Sequence, residues 1–421
     1  MLNRIRVKNF KSFKDLDYSC AKLNLLMGVN GAGKSSFVQL LSLLKGMSTR
    51  RLSDASVSVE IGSFGTIADL ADLKYCYANE ADDIRVEVDF TDRELETVNE
   101  GGSCAANTHA VEGLSAAGEK WNGMAKKGTF SFAIKPDTSN SFKVMDLKAN
   151  CSLHETEGML NRVFRNFQMV STFRMKPCKV HNSKYVEGRL DPEGADVAEY
   201  LSKMGQKFFL CRENPMRRTK SSTLIDEVNA WLGEVSPGAE IKVEIVDVLD
   251  MQKFVESVSY GDGELQRTFD PKNVGFGVSY ILPVLVTLLT AYPGDIIIIE
   301  NPEAHLHPRG QAEMGNLIAR AAAYGVQLFV ETHSDHLIDG LRVAVKKSII
   351  KSEDVNIAFF ERKGHDVIME DGTMNREYYA HVHNITIDKN GGLSDYPEDF
   401  LDEWNKQTME LMKPRGWEEK P

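Results

Sequence analysis

The chain has 421 residues, of which 42% are hydrophobic and 26% are charged, a composition typical of a globular protein of two or three structural units. No run approaches the roughly 18 consecutive apolar residues of a membrane span, and the polar N-terminus lacks the apolar core of a signal peptide. We therefore expect a cytoplasmic protein that makes no contact with a membrane.

The net charge of −11 argues against a surface that is coated for DNA binding. Residues 161–220 nevertheless hold 13 Lys/Arg against 6 Asp/Glu, which leaves −18 on the rest of the chain. Such a stretch can attract nucleic acid, and a solvated face explains it equally well. The six cysteines form no C-x-x-C pair, which favours reduced thiols over a disulfide frame or a zinc site.

The first 90 residues are predicted to form several strands and one helix. Alternating apolar residues at 5–13 predict short strands. The apolar run at 23–27 predicts a buried strand, and the segment 36–44 has the composition of a helix. A glycine-rich turn separates the two. Further strands are predicted at 57–61 and 85–89.

The patterns that predict secondary structure are weak between residues 91 and 264 and become clear again after residue 264. In the weak region we predict loops at 101–102 and 113–118, a hairpin of 130–134 and 142–147, and helices at 195–204 and 223–232. Next come a buried helix at 281–289, a strand at 295–299, a helix at 308–323, a strand at 326–331 and a helix at 334–346. The end of the chain predicts strands at 355–361, 366–369 and 384–388 and an amphipathic helix at 398–412 that packs on the body.

The strongest motif lies between the strand at 23–27 and the helix that follows. Residues 28–35 read G-V-N-G-A-G-K-S, the G-x-x-x-x-G-K-S pattern of a phosphate-binding loop. Its glycines allow backbone N–H groups to face phosphates, and the helix N-terminus favours negative charge. This pattern predicts an ATP site with Mg²⁺, where Lys34 contacts phosphate and Ser35 is a metal ligand. The predicted binding residues are Asn30, Gly31, Ala32, Gly33, Lys34, Ser35 and Ser36.

Two further motifs follow buried strands. Four isoleucines at 296–299 precede Glu300, whose carboxylate is placed to hold Mg²⁺ beside Ser35. The strand at 326–331 precedes Thr332 and His333, and a neutral histidine there can hydrogen-bond the γ-phosphate or the attacking water. A lone histidine is more often structural, and its place after the first two motifs favours the functional interpretation.

The three motifs in this order resemble ABC-type ATPases, and more narrowly the RecF/SMC-like group that includes the OLD-family ATPases. The resemblance implies an α/β fold with an ABC-type ATPase head, in which a mixed sheet is flanked by helices. The head would comprise residues 1–90 and 265–365, interrupted by an inserted α+β region at 91–264. A small C-terminal segment at 366–421 would complete the chain.

The resemblance also implies roles for single residues. Glu300 matches the Walker B acid, His333 matches the switch histidine, and Lys11 lies in the segment that the group places near the nucleotide. The signature loop of the family would fall at Gly275, Gly277 and Ser279. In the family this loop contacts the γ-phosphate held by the other subunit, which implies a homodimer or a higher homo-oligomer around ATP.

The sequence departs from the family pattern at the catalytic position. Asn301 stands where ABC proteins usually place a catalytic glutamate, and an amide cannot accept a proton from water. We expect slow hydrolysis in which Glu303 takes part. The signature loop lacks a Ser-Gly-Gly sequence, and no acidic cluster of the Toprim nuclease type follows His333. The nearby His305 and His307 could suggest a metal site, although a structural or dimer-contact role fits their position better.

Two functions from different classes remain after these observations. The leading one is a regulatory ATPase that controls a separately encoded effector, such as a nuclease, in bacterial antiphage defence. The alternative is a RecF-like repair clamp or loader that binds DNA in an ATP-dependent way. A transporter subunit is disfavoured because the region 91–264 does not resemble a transporter's helical subdomain.

Overall fold

The structure is a computed structural model that describes residues 1–49, 73–79, 81–92, 126–136, 142–182, 190–248, 251–260, 267–368 and 374–413. The strands within these ranges are β1 (Leu2–Phe10), β2 (Phe13–Ser19), β3 (Leu23–Gly28), β4 (Ile84–Asp92), β5 (Lys126–Pro136), β6 (Phe142–Ala149), β7 (Phe167–Val170), β8 (Val180–Asn182), β9 (Ala239–Val248), β10 (Met251–Tyr260), β11 (Arg267–Phe269), β12 (Ile296–Glu300), β13 (Gln327–Glu331), β14 (Val355–Ile368) and β15 (Met374–Ile385). The helices are α1 (Lys34–Ser48), α2 (Leu153–Val163), α3 (Val197–Met204), α4 (Leu224–Val235), α5 (Phe276–Leu289), α6 (Pro308–Tyr324), α7 (Asp335–Lys346) and α8 (Glu403–Met412).

The central sheet has six strands in the order β15-β14-β3-β13-β12-β7. The strands from β14 to β7 are parallel, and β15 is antiparallel to β14. Apolar runs such as residues 296–299 form the parallel strands, as expected where both faces of a sheet are covered. The register pairs Glu300 with Glu331, and Gly28 with Phe360. The carboxyl ends of β3, β13 and β12 therefore meet at one edge.

Two hydrophobic cores cover the two faces of this sheet. Ile297 and Ile299 lie in one core with residues of α4, α5, α6 and α7. Ile296 and Ile298 lie in the other core with residues of α1 and α2. Alternate side chains of a strand point to opposite faces, so one isoleucine run supplies both cores. The helices fix the sheet from both sides, and they leave its carboxyl edge accessible for loops.

Two smaller sheets complete the described part of the chain. An antiparallel sheet has the order β2-β1-β4-β5-β6, and its buried residues join the core of α1 and α2. The other sheet contains the long β9–β10 hairpin, with β8 and β11 pairing to β10. The mixed α/β class predicted from the sequence is confirmed. Among the helices of the described ranges, none is long and apolar enough to cross a membrane.

Most predicted elements with strong periodicity are confirmed. The predicted strands at 85–89, 130–134, 142–147, 295–299 and 326–331 correspond to β4, β5, β6, β12 and β13. The helices predicted at 36–44, 195–204, 223–232, 281–289, 308–323 and 334–346 correspond to α1, α3, α4, α5, α6 and α7. The sequence did not predict α2, β7 or the β9–β10 hairpin.

The predictions for the C-terminal region are partly wrong. The predicted strands at 355–361 and 366–369 are parts of one strand, because the residues between them stay paired with β15. The strand predicted at 384–388 is only the end of β15 followed by an isolated bridge at Ile387. The expected packing of the last helix is wrong, since Trp404 and Leu411 of α8 are 73% and 85% exposed. Phe400 anchors the chain against Phe359 just before α8 begins.

Some predictions are not tested by the structure. The strand predicted at 57–61 and the loops at 101–102 and 113–118 lie outside the described residues. The predicted domain boundaries stay a prediction. Within the predicted insertion at 91–264, β5 and β6 pair into the sheet of β1, and β7 pairs with β12.

The contact between α6 and α7 gives a first prediction. A Cβ added at Gly340 would lie 2.1 Å from the carbonyl oxygen of Ala312, so Gly340→Ala forces two packed helices apart. We expect a loss of about 2 kcal/mol or more in the free energy of unfolding, measured by urea denaturation. The control is Gly233→Ala in α4, where no atom lies within 4 Å of the added Cβ. That substitution should be neutral or stabilise the protein by up to about 1 kcal/mol. Equal stability of both variants contradicts the close helix contact.

Candidate functional site

The loop between β3 and α1 has a backbone that requires glycine. Gly28, Gly31 and Gly33 have φ values of +131°, +76° and +114°, in the region that side chains disfavour. A Cβ at Gly28 would lie 2.0 Å from the carbonyl oxygen of Phe360. A Cβ at Gly33 would lie 2.7 Å from Oγ of Ser12. The loop is thus a cradle with no room for a side chain at Gly28 or Gly33, and it leads directly into the N-terminus of α1.

Lys34 folds its ammonium group back over this loop. Nζ donates hydrogen bonds to the carbonyl oxygens of Gly28 at 2.9 Å and Val29 at 3.2 Å. It also lies 3.9 Å from Oε1 of Glu331. Burial lowers the pKa of Lys34, and the Glu331 carboxylate opposes that shift. A positive charge is therefore held in a poorly solvated place, where an anionic ligand would be strongly attracted.

The other residues of the predicted loop surround this charge. Ser35 is exposed in the first turn of α1, Ser36 is half-buried, and Ala32 is buried against the core. Asn30 and Gly31 are exposed at the tip of the loop.

The segment that links β1 to β2 lies beside this loop. Ser12 places its hydroxyl next to Gly33, and that hydroxyl has no hydrogen-bond partner among the described residues. The preceding residue, Lys11, has a φ of +47° and donates its backbone N–H to the carbonyl oxygen of Leu73 at 2.8 Å.

Glu300 ends β12 and is held by the loop that follows β7. Its Oε2 accepts hydrogen bonds from the backbone N–H of Thr172 at 2.9 Å and from the Thr172 hydroxyl at 3.2 Å. The carboxylate thus lies at the edge where β12 and β13 end together. No role was predicted for Thr172 from the sequence, because 128 residues separate it from Glu300.

Arg174 was not predicted as a site residue either. Its side chain binds the backbone at the same edge. The buried guanidinium donates hydrogen bonds to the carbonyl oxygens of Glu300, of Asn301 at 3.2 Å and of Tyr280 at 3.2 Å. Burial lowers the pKa of Arg174 to about 10, so the group remains charged at neutral pH. Arg174 connects the end of β12 with α5.

Asn301 occupies a constrained position next to Glu300. Its φ is +45°, and its backbone N–H donates to the carbonyl oxygen of Glu331 at 2.8 Å. Its side-chain amide donates to the Thr172 hydroxyl at 3.2 Å, while its Oδ1 is buried without a partner among the described residues. The amide can orient a water molecule, but it cannot accept a proton from it.

Glu303 and His333 meet across the edge. Oε1 of Glu303 accepts a hydrogen bond from the backbone N–H of His333 at 2.9 Å, and Oε2 is buried with no partner in the described part of the chain. Burial and the charge of Lys34 lower the pKa of His333, although Glu303 opposes this. The imidazole is therefore neutral at neutral pH and can act as a hydrogen-bond donor or acceptor.

Glu331 is a third site residue that was not predicted from the sequence. Its carboxylate is buried at the end of β13, between Lys34 and the register position of Glu300. Burial raises the pKa of Glu331 to about 7; Lys34 lowers it, and Glu300 and Glu303 raise it further. A carboxylate with this pKa is suited to accept a proton near neutral pH. The signal was visible, since Glu331 ends an apolar strand only two residues before His333.

The predicted signature segment lies at the start of α5. Gly275 is the exposed N-cap of this helix, and α5 contacts β7. A Cβ at Gly277 would lie 2.8 Å from the carbonyl oxygen of His305. Oγ of Ser279 is buried without a hydrogen-bond partner among the described residues. The structure brings Lys34, Glu300, Asn301, Glu303, Glu331 and His333 to one edge. The helix that carries the signature segment is linked to this edge by Arg174, which binds the carbonyl oxygens of both Tyr280 and Glu300.

The two histidines after Glu303 have packing and capping contacts. The ring of His305 lies between the rings of Phe276 and Tyr280, with centroid distances of 5.7 Å and 4.7 Å. His307 is the N-cap of α6, and its Nδ1 accepts a hydrogen bond from the backbone N–H of Arg309 at 3.3 Å.

Three regions of the chain match family models. Residues 1–190 match the family described as "AAA ATPase domain". Residues 202–339 match the family described as "AAA domain, putative AbiEii toxin, Type IV TA system". Residues 350–411 match the family described as "Protein of unknown function (DUF3696)". A search of curated protein sequences gives no significant match.

Similar solved structures are head domains of SMC proteins. One is the SMC head bound to the C-terminal winged-helix domain of ScpA, with 13% identity, a TM-score of 0.48, and coverage of 92% of this chain and 98% of that chain. A second is an SMC head with an extended coiled coil, bound to the C-terminal domain of ScpA derived from Pyrococcus furiosus, with 12% identity, a TM-score of 0.46, and coverage of 98% and 99%. A third is the SMC head domain from Thermotoga maritima, with 10% identity, a TM-score of 0.39, and coverage of 89% and 98%.

The residues at the carboxyl edge of the sheet fit a nucleoside triphosphate and its magnesium ion. The glycine cradle and Lys34 provide the space and the charge that phosphates need. Ser35 and Glu300 offer a hydroxyl and a carboxylate, the oxygen donors that Mg²⁺ prefers. When bound, Mg²⁺ would neutralise phosphate charge.

The role of the ammonium group is testable by substitution. Lys34→Ala removes the charge that is held over the cradle, and we expect ATP affinity to fall by at least about tenfold. Isothermal titration calorimetry with MgATP measures the change. Lys351→Ala is the control, because Lys351 is exposed just before β14 begins, at the opposite edge of the sheet. Unchanged affinity in the Lys34 variant contradicts the placement of the phosphates in this loop.

The raised pKa of Glu331 gives a prediction about pH. The group can accept a proton only as the carboxylate, so the rate of ATP hydrolysis should fall as the pH drops through about 7. Glu331→Gln should lower the rate by about 10²-fold or more and abolish this pH dependence.

Glu303→Gln is the matched variant at the same edge. If Glu303 were the base instead, its substitution would remove the pH dependence and Glu331→Gln would preserve it. ATP affinity, measured in parallel, shows whether either variant has lost the binding site.

Proposed function

We propose that the protein is an ATP-binding and slowly hydrolysing regulatory ATPase that dimerises around ATP and controls a separate effector. The observation that carries this proposal is the meeting of Lys34, Glu331 and Glu300 at the carboxyl edge of the parallel sheet. The matches to AAA ATPase domain families over residues 1–190 and 202–339 support it.

Each residue of the site has a separate role in ATP binding and hydrolysis. Lys34 and the N–H groups of the glycine loop bind phosphate, and Ser35 and Glu300 provide the oxygen ligands for Mg²⁺. Glu331 accepts the proton of the attacking water, while Asn301 and His333 orient that water through hydrogen bonds. Glu303 fixes His333 through the backbone N–H and adds negative charge that keeps the pKa of Glu331 high.

The expected slowness has a physical basis in these positions. Asn301 lacks a basic group, and Glu331 forms an ion pair with Lys34 at 3.9 Å. The Lys34 ammonium opposes the rise in the pKa of Glu331 that burial causes, and so weakens Glu331 as a proton acceptor. Slow chemistry makes an ATP-bound state long-lived, which suits a switch.

Dimerisation rests on the segment at the start of α5. Gly275 and Phe276 are exposed there, although α5 is buried over most of its length. By resemblance to ABC-type ATPases, this segment would complete the nucleotide site of a second copy. The head would be RecF/SMC-like and related to the OLD-family ATPases, and this chain would lack their Toprim nuclease domain.

The biological setting that we propose is bacterial antiphage defence in the cytoplasm, with a separately encoded effector such as a nuclease. The description of the family that matches residues 202–339 names a toxin of a toxin–antitoxin system, which supports a two-component arrangement.

The alternative of a RecF-like DNA clamp receives less support from the basic stretch at 161–220. The guanidinium of Arg218 lies 3.9 Å from the ring centre of Trp231 and pairs with Glu234 at 2.7 Å. Arg217 donates to the carbonyl oxygens of Thr219 at 3.1 Å and Lys220 at 2.9 Å. These arginines stabilise their own loop, so their charge is less available to phosphates of nucleic acid.

ATP-linked dimerisation is tested at Gly275. No atom lies within 4 Å of a Cβ at this position, so Gly275→Arg adds bulk and charge without disturbing the fold. We expect the wild-type chain to double its mass in solution with ATP and the variant to remain monomeric, measured by sedimentation. Gly277 is unsuitable, because its Cβ would clash with His305.

The control is Gly233→Arg in α4, which is equally open and should dimerise like the wild type. Cysteines at Gly275 and Asn30 should cross-link between chains only with ATP. The ATP-gated dimer is contradicted if ATP produces neither a change of mass nor a cross-link between chains.

A further inference from the structure

A cluster of ligand-type side chains lies on the β14–β15 hairpin, outside the nucleotide site. Glu361 pairs in register with His381, and Phe359 pairs with His383. Residues 359 and 361 share one face of β14, so Glu361, His381 and His383 project from the same face of the hairpin. Their ligand atoms all lie within 4.8 Å of one another. All three side chains are half-buried.

The distances in this cluster converge on one carboxylate oxygen. Oε1 of Glu361 lies 2.7 Å from Nε2 of His383 and 3.1 Å from Nδ1 of His381. In a tetrahedral zinc site, bonds of about 2.0–2.2 Å place neighbouring ligand atoms roughly 3.4 Å apart. Small rotations of the imidazoles therefore suffice to surround one ion. The hairpin backbone already fixes the spacing of the three side chains.

A positive charge already occupies the cluster. The ammonium group of Lys363 lies 2.6 Å from Oε1 of Glu361 and 3.2 Å from Nδ1 of His381. It thus stands where a cation bound by these ligands would stand. Lys363 is 40% exposed, and its long side chain can turn into solvent and release the ligands.

We propose that Glu361, His381 and His383 bind one divalent transition-metal ion of the zinc type, in exchange for the Lys363 ammonium. Two imidazoles and one carboxylate suit Zn²⁺ or Co²⁺, whereas Mg²⁺ prefers a set of oxygen ligands. This site is separate from the magnesium ligands of the nucleotide site, and it does not depend on the proposed function.

The site lies close enough to the phosphate loop to affect it. Glu361 directly follows Phe360, which pairs with Gly28. On the opposite strand, Ala380 precedes His381, and its Cβ lies 2.9 Å from the Cβ position at Gly33. An ion that joins the two strands here would stiffen the wall of the loop. Metal binding should therefore alter ATP affinity measurably as well.

The experiment uses the untagged full chain with Co²⁺ and Zn²⁺ as probes. We expect binding of about one ion per chain, with the visible absorption of tetrahedral Co²⁺, even in excess Mg²⁺. His383→Ala and Glu361→Gln should each lower Zn²⁺ affinity by at least about tenfold. Lys363→Ala should raise it, because the competing ammonium is removed.

His365→Ala is the matched control, since His365 lies on the same hairpin beside Glu377 and outside the cluster. It should bind Zn²⁺ like the wild type. Circular dichroism confirms that each variant is folded. The proposal is overturned if the folded wild-type chain binds no Zn²⁺, or if the His383 and Glu361 variants bind it as tightly as the wild type.

Discussion

The parallel pairing of β3, β13 and β12 is the constraint on which the site depends. Parallel strands place their carboxyl ends at the same edge, and each of these three strands is followed by a polar group. The register brings Glu300 beside Glu331, and Lys34 reaches Glu331 from the loop after β3. Burying an acid and an ammonium group this close is costly unless each offsets the other. Their shifted pKa values follow directly from that burial.

The sequence revealed those parts of the site whose chemistry is local. The glycine loop, Glu300 and His333 each stand next to an apolar strand, so periodicity and composition were sufficient to find them. Thr172 and Arg174 could not be found in this way, because they reach Glu300 only through the pairing of β7 with β12. The β9–β10 hairpin was missed although β9 shows the alternation that predicts a strand, with apolar residues at 239, 241, 243 and 245 and charged residues at 240, 242 and 244.

The C-terminal hairpin illustrates the limits of reading local patterns. Two predicted strands proved to be one, because pairing with β15 carries β14 through the polar residues 361–366. The same pairing brings Glu361 beside two histidines that lie 20 and 22 residues further along the chain. The hairpin also forms part of the wall of the phosphate loop through Phe360 and Ala380. Changes in the hairpin can thus reach the loop through direct backbone contacts.

The central claim is that this edge holds the phosphates of ATP over the glycine cradle. Its most direct test is an experimental structure of the full chain with Mg²⁺ and a non-hydrolysable ATP analogue. The account predicts that Lys34 leaves the carbonyl oxygens of Gly28 and Val29 and binds phosphate, with Glu331 beside the terminal phosphate. A triphosphate bound elsewhere, or a Lys34 that still contacts only its own loop, would contradict the account.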